Sequence, residues 1–129
     1  MTIHLLRRLR AEDEAAGLSP ARLSALSVLV FGGPRTVGAL AEAEQVRAPT
    51  MTRLVSSLEA DGLVSKRRDP SDGRVVHVEA TDAGVRVLEE GRARRVAHLE
   101  SLLDGLDAAD RGVVGEATSI LERVTHGDV

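Results

Sequence analysis

The stretch Gly62-Leu63-Val64-Ser65-Lys66-Arg67-Arg68-Asp69-Pro70-Ser71-Asp72-Gly73-Arg74-Val75-Val76-His77-Val78-Glu79-Ala80-Thr81-Asp82-Ala83-Gly84 decides the fold of this 129-residue chain. Residues 63–68 and 74–79 have strand character, and the second segment alternates clearly between apolar and polar side chains. Between them lies Asp69-Pro70-Ser71-Asp72-Gly73, five residues that each favour a turn. The pattern predicts a β-hairpin with a charged tip.

Upstream of the hairpin the period changes from two to between three and four. Met51, Leu54, Val55 and Leu58 recur at helical spacing, Pro49 suits a helix start, and Gly62 supplies the stop. Val37, Leu40 and Ala41 predict a shorter helix with Thr36 as N-cap, separated from the next by a turn over 44–48. Two short helices joined by a tight turn form a helix-turn-helix, and a hairpin directly after it is the layout of a winged helix.

Further out, Ile3, Leu5, Leu6 and Leu9 predict an amphipathic helix over 2–16, closed by Gly17. Ser19-Pro20 opens a second helix carrying Leu23, Leu26, Leu29 and Val30, and Gly32-Gly33-Pro34 stops it. Thr81-Asp82 caps a long helix to about residue 103, and Asp107 opens a last one lined by Val113, Val114, Ala117, Ile120, Leu121 and Val124. The fold class is therefore mainly α with a small β-hairpin wing. The outer helices carry more apolar surface than a lone winged helix needs, which predicts a homodimer with those faces between subunits.

Composition bounds the function. Cysteine is absent, which excludes disulfides, thiolate metal sites and thiol chemistry. No apolar run approaches the ~20 residues of a membrane span, and a cytoplasmic setting is expected. Phe31 is the single aromatic among Phe, Tyr and Trp, which argues against modules that stack single-stranded bases. The net charge of −3 argues at face value against nucleic acid, but it is unevenly spread. Residues 1–33 carry +1, residues 34–80 are neutral, and residues 81–129 carry −4, so the excess acid lies outside the winged core.

The quoted stretch closely resembles the wing signature of the MarR family of bacterial transcription regulators, whose pattern runs roughly G-hydrophobic-V-x-R-x-x-D-P-x-D-x-R-x-x-x-V-x-L-T-x-x-G. Ala80 stands where Leu is commoner. Leu18 to Leu29 resembles the family's second helix, and Ala39-Leu40-Ala41 through Pro49 to Glu59 its helix-turn-helix. The resemblance covers about residues 18–84. It implies one domain over 1–129, with a winged helix-turn-helix core over 34–81 and dimerisation helices over 1–16 and 82–126. The first helix is shorter than members usually carry, and the missing cysteine excludes the thiol-based peroxide sensors.

Function follows as expectation: a sequence-specific regulator of double-stranded DNA, a repressor released by a small-molecule effector, reading a pseudo-palindromic site as a homodimer. Pro49, Thr50, Thr52, Arg53 and Ser56 stand on the first turns of the recognition helix, where side chains reach base edges in the major groove. The resemblance gives Arg74 entry to the minor groove, with Asp72 holding its guanidinium by a charge-assisted bond. Lys66, Arg67 and Arg68 are candidates for phosphate contact. Arg35 and Thr36 are balanced between phosphate contact and service as a solvated charge and a cap. Exposed ion pairs contribute roughly 0–1 kcal/mol, so stability alone gives little reason for such a cluster.

Relatives often bind small aromatic or anionic effectors, but no sequence motif defines that site or its residues. The four histidines lack metal-pair spacing, Gly32-Gly33 is no phosphate loop, and neither a cofactor nor catalysis is expected. The acidic balance keeps one alternative in view: a winged-helix protein-interaction module that has lost DNA binding.

Overall fold

The computed structural model describes residues 2–15 and 17–127. In chain order the elements are α1 (Thr2–Ala15), α2 (Pro20–Gly32), β1 (Arg35–Thr36), α3 (Val37–Ala43), α4 (Ala48–Ala60), β2 (Val64–Arg68), β3 (Val76–Ala80), α5 (Asp82–Leu103) and α6 (Ala108–His126). The chain divides into two compact units, Met1–Arg95 and Val96–Val129, with the boundary inside α5. Among the described residues no helix is long and apolar enough to cross a membrane.

Local chemistry sets the helix ends of the first unit. Ser19 accepts the Arg22 N–H at α2, and Thr36 accepts the Ala39 N–H at α3, each from an extended backbone. The turn of the helix-turn-helix places Gln45 in the left-handed region, with φ of 56°. There the Val46 N–H reaches back to the Ala41 carbonyl at 3.0 Å.

Three strands pair antiparallel in the order β1-β3-β2. The register sets Lys66 against Val78 and Arg67 against His77, while Thr36 of β1 also meets His77. The strand β1 is not foreseen by sequence reading, because two residues carry no period. The second wing strand begins at Val76, two residues later than its alternation suggests. The cause is local: the Arg74 N–H is taken by the Asp72 side chain and the Val75 N–H by the Asp72 carbonyl, so neither joins the ladder.

The core of this unit gathers Leu18, Ala25, Leu26 and Leu29 with Leu40, Met51, Val55 and Leu58, and closes on Leu63, Val64 and Val78. Every element from α2 to β3, the two-residue β1 apart, therefore contributes one apolar face, and hydrophobic burial locks helix-turn-helix and hairpin into one body. One buried charge joins in. Asp13 of α1 is 4% exposed and pairs with Arg95 of α5, beside Gly91, where a Cβ would lie 3.3 Å from both partners.

The second unit holds the end of α5, a turn and α6. Asp107 accepts the Asp110 N–H at 2.8 Å, and Gly127, with φ of 76°, closes the far end. Every described α6 side chain is exposed, including Val113, Ile120, Leu121 and Val124.

A close backbone approach lies where α5 begins. A Cβ on Gly84 would stand 2.2 Å from the Leu63 carbonyl oxygen. That oxygen already accepts the Thr81 N–H, so it has little room to yield. Gly84→Ala is expected to lower unfolding free energy by about 2 kcal/mol or more, read by urea denaturation; a change below about 0.5 kcal/mol contradicts this packing.

Candidate nucleic-acid interface

The helix α4 buries Met51, Val55 and Leu58 and leaves Pro49, Thr50, Thr52, Arg53 and Ser56 exposed on the other side. This split is the 3.6-residue period at work, and it turns the sequence-predicted residues outward as one face. Thr52 donates its hydroxyl proton to the Ala48 carbonyl at 2.9 Å, so toward an outside ligand its oxygen remains an acceptor.

Beside that face runs a groove of about 380 Å³, lined among others by Thr36, Thr52, Val55, Lys66, Arg74 and Val76. The recognition helix and the wing are its two walls. Lys66 bridges them, lying 3.2 Å from Glu59 and 3.4 Å from the Ser56 hydroxyl. Glu59 is a partner that sequence reading missed, because only the register of β2 shows which way Lys66 points.

The wing tip is built by two aspartates. Asp69 Oδ1 accepts the N–H groups of Ser71 (2.8 Å) and Asp72 (3.1 Å), while Oδ2 lies 2.8 Å from His77 Nε2. Asp72 then accepts both the Arg74 N–H at 3.0 Å and the side chain, with Nε at 3.1 Å and Nη2 at 3.3 Å. Arg74 is thereby aimed while its side chain stays 92% exposed. A two-pronged bond of this kind fixes direction without burying the charge. Asp69 and His77 were legible only in part. An Asp ahead of Pro-Ser-Asp signals a side-chain-capped turn, but the eight-residue span to His77 depends on the hairpin register.

The remaining basic residues separate. Arg68 donates to the Gly73 carbonyl at 3.2 Å and braces the wing loop. Arg67 pairs across the sheet with His77, one residue out of phase with Lys66, so it occupies the sheet face opposite Lys66 and α4. Arg35 folds back over the end of α2, where a Cβ on Gly32 would meet its Nη2 at 2.1 Å. A cation there complements the negative end of the helix dipole. Thr36 caps α3 through its Oγ1, at 3.0 Å from the Ala39 nitrogen, and also lines the groove. The structure thus brings Thr36, Thr52, Lys66 and Arg74 together and directs Arg35 and Arg67 elsewhere. Among the described residues no group of three or more His, Asp or Glu is placed to hold a metal.

In sequence and fold the chain is similar to known proteins. The model of the MarR family matches residues 16–75. A helix-turn-helix-type transcriptional regulator of Mycobacterium bovis is 34% identical over 119 residues, 92% of this chain and 83% of its own length. The transcriptional repressor MdtR of Bacillus subtilis is 28% identical over 115 residues, covering 89% of this chain and 74% of that protein. Among solved structures, the YusO protein of Bacillus subtilis superposes with a TM-score of 0.82 at 25% identity, over 95% of this chain and 86% of its own. A mutant of MepR from S. aureus, bound to an oligodeoxyribonucleotide, shares the fold with a TM-score of 0.78 at 18% identity, over 95% and 91%.

The His77 hydrogen bond, then the Ser71 and Asp72 N–H groups, hold the Asp69 carboxyl below its ordinary value of 3.8. The Arg74 side chain, then its N–H, does the same for Asp72. A carboxylate lowered by folding contributes stability that is present above the unfolded value and lost as pH falls through the folded one. The amide signals of Ser71, Asp72 and Arg74 are therefore expected to hold steady at neutral pH and to titrate with a midpoint below 3.8. An NMR titration checks this, and a midpoint at or above that value contradicts the geometry.

Proposed function

This chain belongs to the MarR family of winged helix-turn-helix, DNA-binding transcription regulators, and we propose that it acts in the cytoplasm as a homodimeric repressor on a pseudo-palindromic duplex site. The observation that carries the reading is the pairing of the exposed α4 face with an Arg74 that Asp72 aims into solvent beside it. An α-helix fills the major groove, and a thin hairpin with an outstretched arginine suits the narrow, electronegative minor groove next to it.

Roles follow from donors and acceptors. Arg53, in the second turn of α4, is a donor for a guanine edge or a phosphate. Thr50 serves as donor or acceptor, and Thr52 as an acceptor for an exocyclic amino group, since its proton is committed to Ala48. Pro49 at the helix start removes an N–H that would have no partner, and the free N–H groups behind it favour phosphate. Ser56 is small and lets the duplex approach. Lys66 and Thr36 face the groove floor and take phosphate positions, while Arg68 keeps the wing loop in shape. Arg35 lies over the end of α2 and Arg67 on the sheet face opposite α4, so neither takes a place on the duplex.

Two copies are needed to read a palindrome, and the apolar exposure supports pairing through the outer helices. Ile3 is 69% exposed in α1, and Val113, Leu121 and Val124 exceed 60% in α6. Two recognition helices one turn apart, roughly 34–36 Å, then contact successive major grooves. A small aromatic or anionic effector that changes that separation would release the duplex. With no Tyr or Trp in the chain, an aromatic effector would rest on aliphatic walls and arginine.

Light scattering is expected to give twice the 13.7 kDa chain mass, and Leu121→Asp with Val124→Asp to give one chain mass. Gel shifts on the DNA upstream of the protein's own gene are expected to weaken steeply with salt, by a log–log slope of about −0.9 per phosphate neutralised. Arg74→Ala should weaken the shift by about tenfold or more with the melting temperature nearly unchanged. A salt-insensitive shift, or an equal loss of stability and binding, contradicts the reading.

A further inference from the structure

Two charges in this fold sit where their own helices disfavour them. Arg22 is the third residue of α2, counting from Pro20, and so places a cation at the positive end of that helix dipole. Asp61 caps the C-terminal end of α4 and places an anion at its negative end. Local energetics argue against both residues, yet the fold pairs them across 39 positions of sequence. The same Arg22 side chain donates from Nη1 to the Gly17 carbonyl at 3.0 Å. Gly17 is the left-handed residue, with φ of 82°, that closes α1. The arginine is only 16% exposed, so its charge is taken largely out of water to make these bonds.

We propose that Arg22 is a positioning residue for DNA reading: it ties the C-terminal end of the recognition helix, through Asp61, to the carbonyl that ends α1, and thereby holds the angle at which α4 meets the duplex. The proposal rests on the DNA-binding role of α4 and extends it to a residue that lies on neither α4 nor the wing.

Geometry gives the tie its leverage. Asp61 stands at the opposite end of α4 from Pro49, Thr50 and Arg53. A helix of 13 residues is about 20 Å long, so a tilt of about 10° at Asp61 moves the first turn by about 3 Å. That exceeds the tolerance of a hydrogen bond to a base edge. The apolar anchors Met51, Val55 and Leu58 hold α4 on the core and set its crossing angle coarsely, since helix crossings scatter by about 15–20° around the packing optima. A charged bond at the far end supplies direction. Its other partner is the end of α1, so a shift of α1 relative to the core reaches the reading face through one guanidinium.

The test uses the full chain and two probes: a duplex enriched by the unaltered protein from a randomised pool, and a scrambled duplex of the same composition. Arg22→Gln and Asp61→Asn are each expected to weaken binding to the enriched duplex by about tenfold, and the double variant by no more than Arg22→Gln alone, because each breaks the same tie between α4 and the end of α1. Binding to the scrambled duplex should stay within about twofold, since phosphate neutralisation does not depend on the tilt of α4. Affinities are compared well below each variant's melting temperature, which should fall further for Asp61→Asn than for Arg22→Gln, because the first leaves a largely buried cation without its carboxylate whereas the second removes that cation. The proposal is overturned if the enriched-duplex affinity is unchanged. It is equally overturned if the two single losses add, or if both duplexes weaken together with the melting temperature, which marks a merely structural role. Failure of the unaltered protein to enrich any sequence would remove the reading function itself and the positioning role with it.

Discussion

The junction at Gly62 and Leu63 holds the winged core together. There the recognition helix ends, the first wing strand begins and α5 starts. The Thr81 hydroxyl donates to the Gly62 carbonyl at 2.6 Å and accepts the Gly84 N–H at 3.1 Å, while the Thr81 N–H binds the Leu63 carbonyl at 3.0 Å. One threonine thus satisfies groups left open at the end of α4 and at the start of α5. Gly84 is required because the two backbones approach too closely for a Cβ. With this point fixed, the hairpin must leave α4 at one angle, and the groove between helix and wing follows.

From that groove outward, function is a matter of direction more than of composition. The chain carries a net negative charge, yet the polar side chains that line the groove are Lys66, Arg74 and two threonines. Asp72 and Glu59, which reduce the formal charge, are the groups that aim Arg74 and Lys66. An acidic side chain used in this way makes the positive group more ordered while lowering the whole-chain charge. The alternative of a protein-interaction module drew its support from that whole-chain figure, which says little about local potential.

Particular residues show where sequence reading reached its limit. The caps Ser19, Thr36 and Asp107 and the stops Gly17 and Gly62 were legible, because a cap depends on a residue and its neighbours three positions away. So was the apolar face of α4, because the helical period is carried by the chain itself. Arg67 and Lys66 were not distinguished, since adjacent strand residues differ only in the face they occupy, and the face is set by pairing with β3. In the sequence Arg35 reads equally as a phosphate contact and as a solvated charge. Its place over Gly32 depends on β1 joining the sheet, where Arg35 pairs with Val78, 43 residues downstream.

By itself the sequence determined the order of the helices and the two wing strands, the winged helix-turn-helix architecture and which polar residues stand on the outer face of α4 and at the wing tip, because periodicity, caps and turn chemistry act over a few residues. The Asp72–Arg74 bond belongs to this group, being two residues long. Only the tertiary structure decided which cations share one face, which acids aim them, and that Arg22, Asp61 and Gly17 meet. Those facts need strand register and helix crossings, and these are fixed by burial of the whole core, which no local stretch contains.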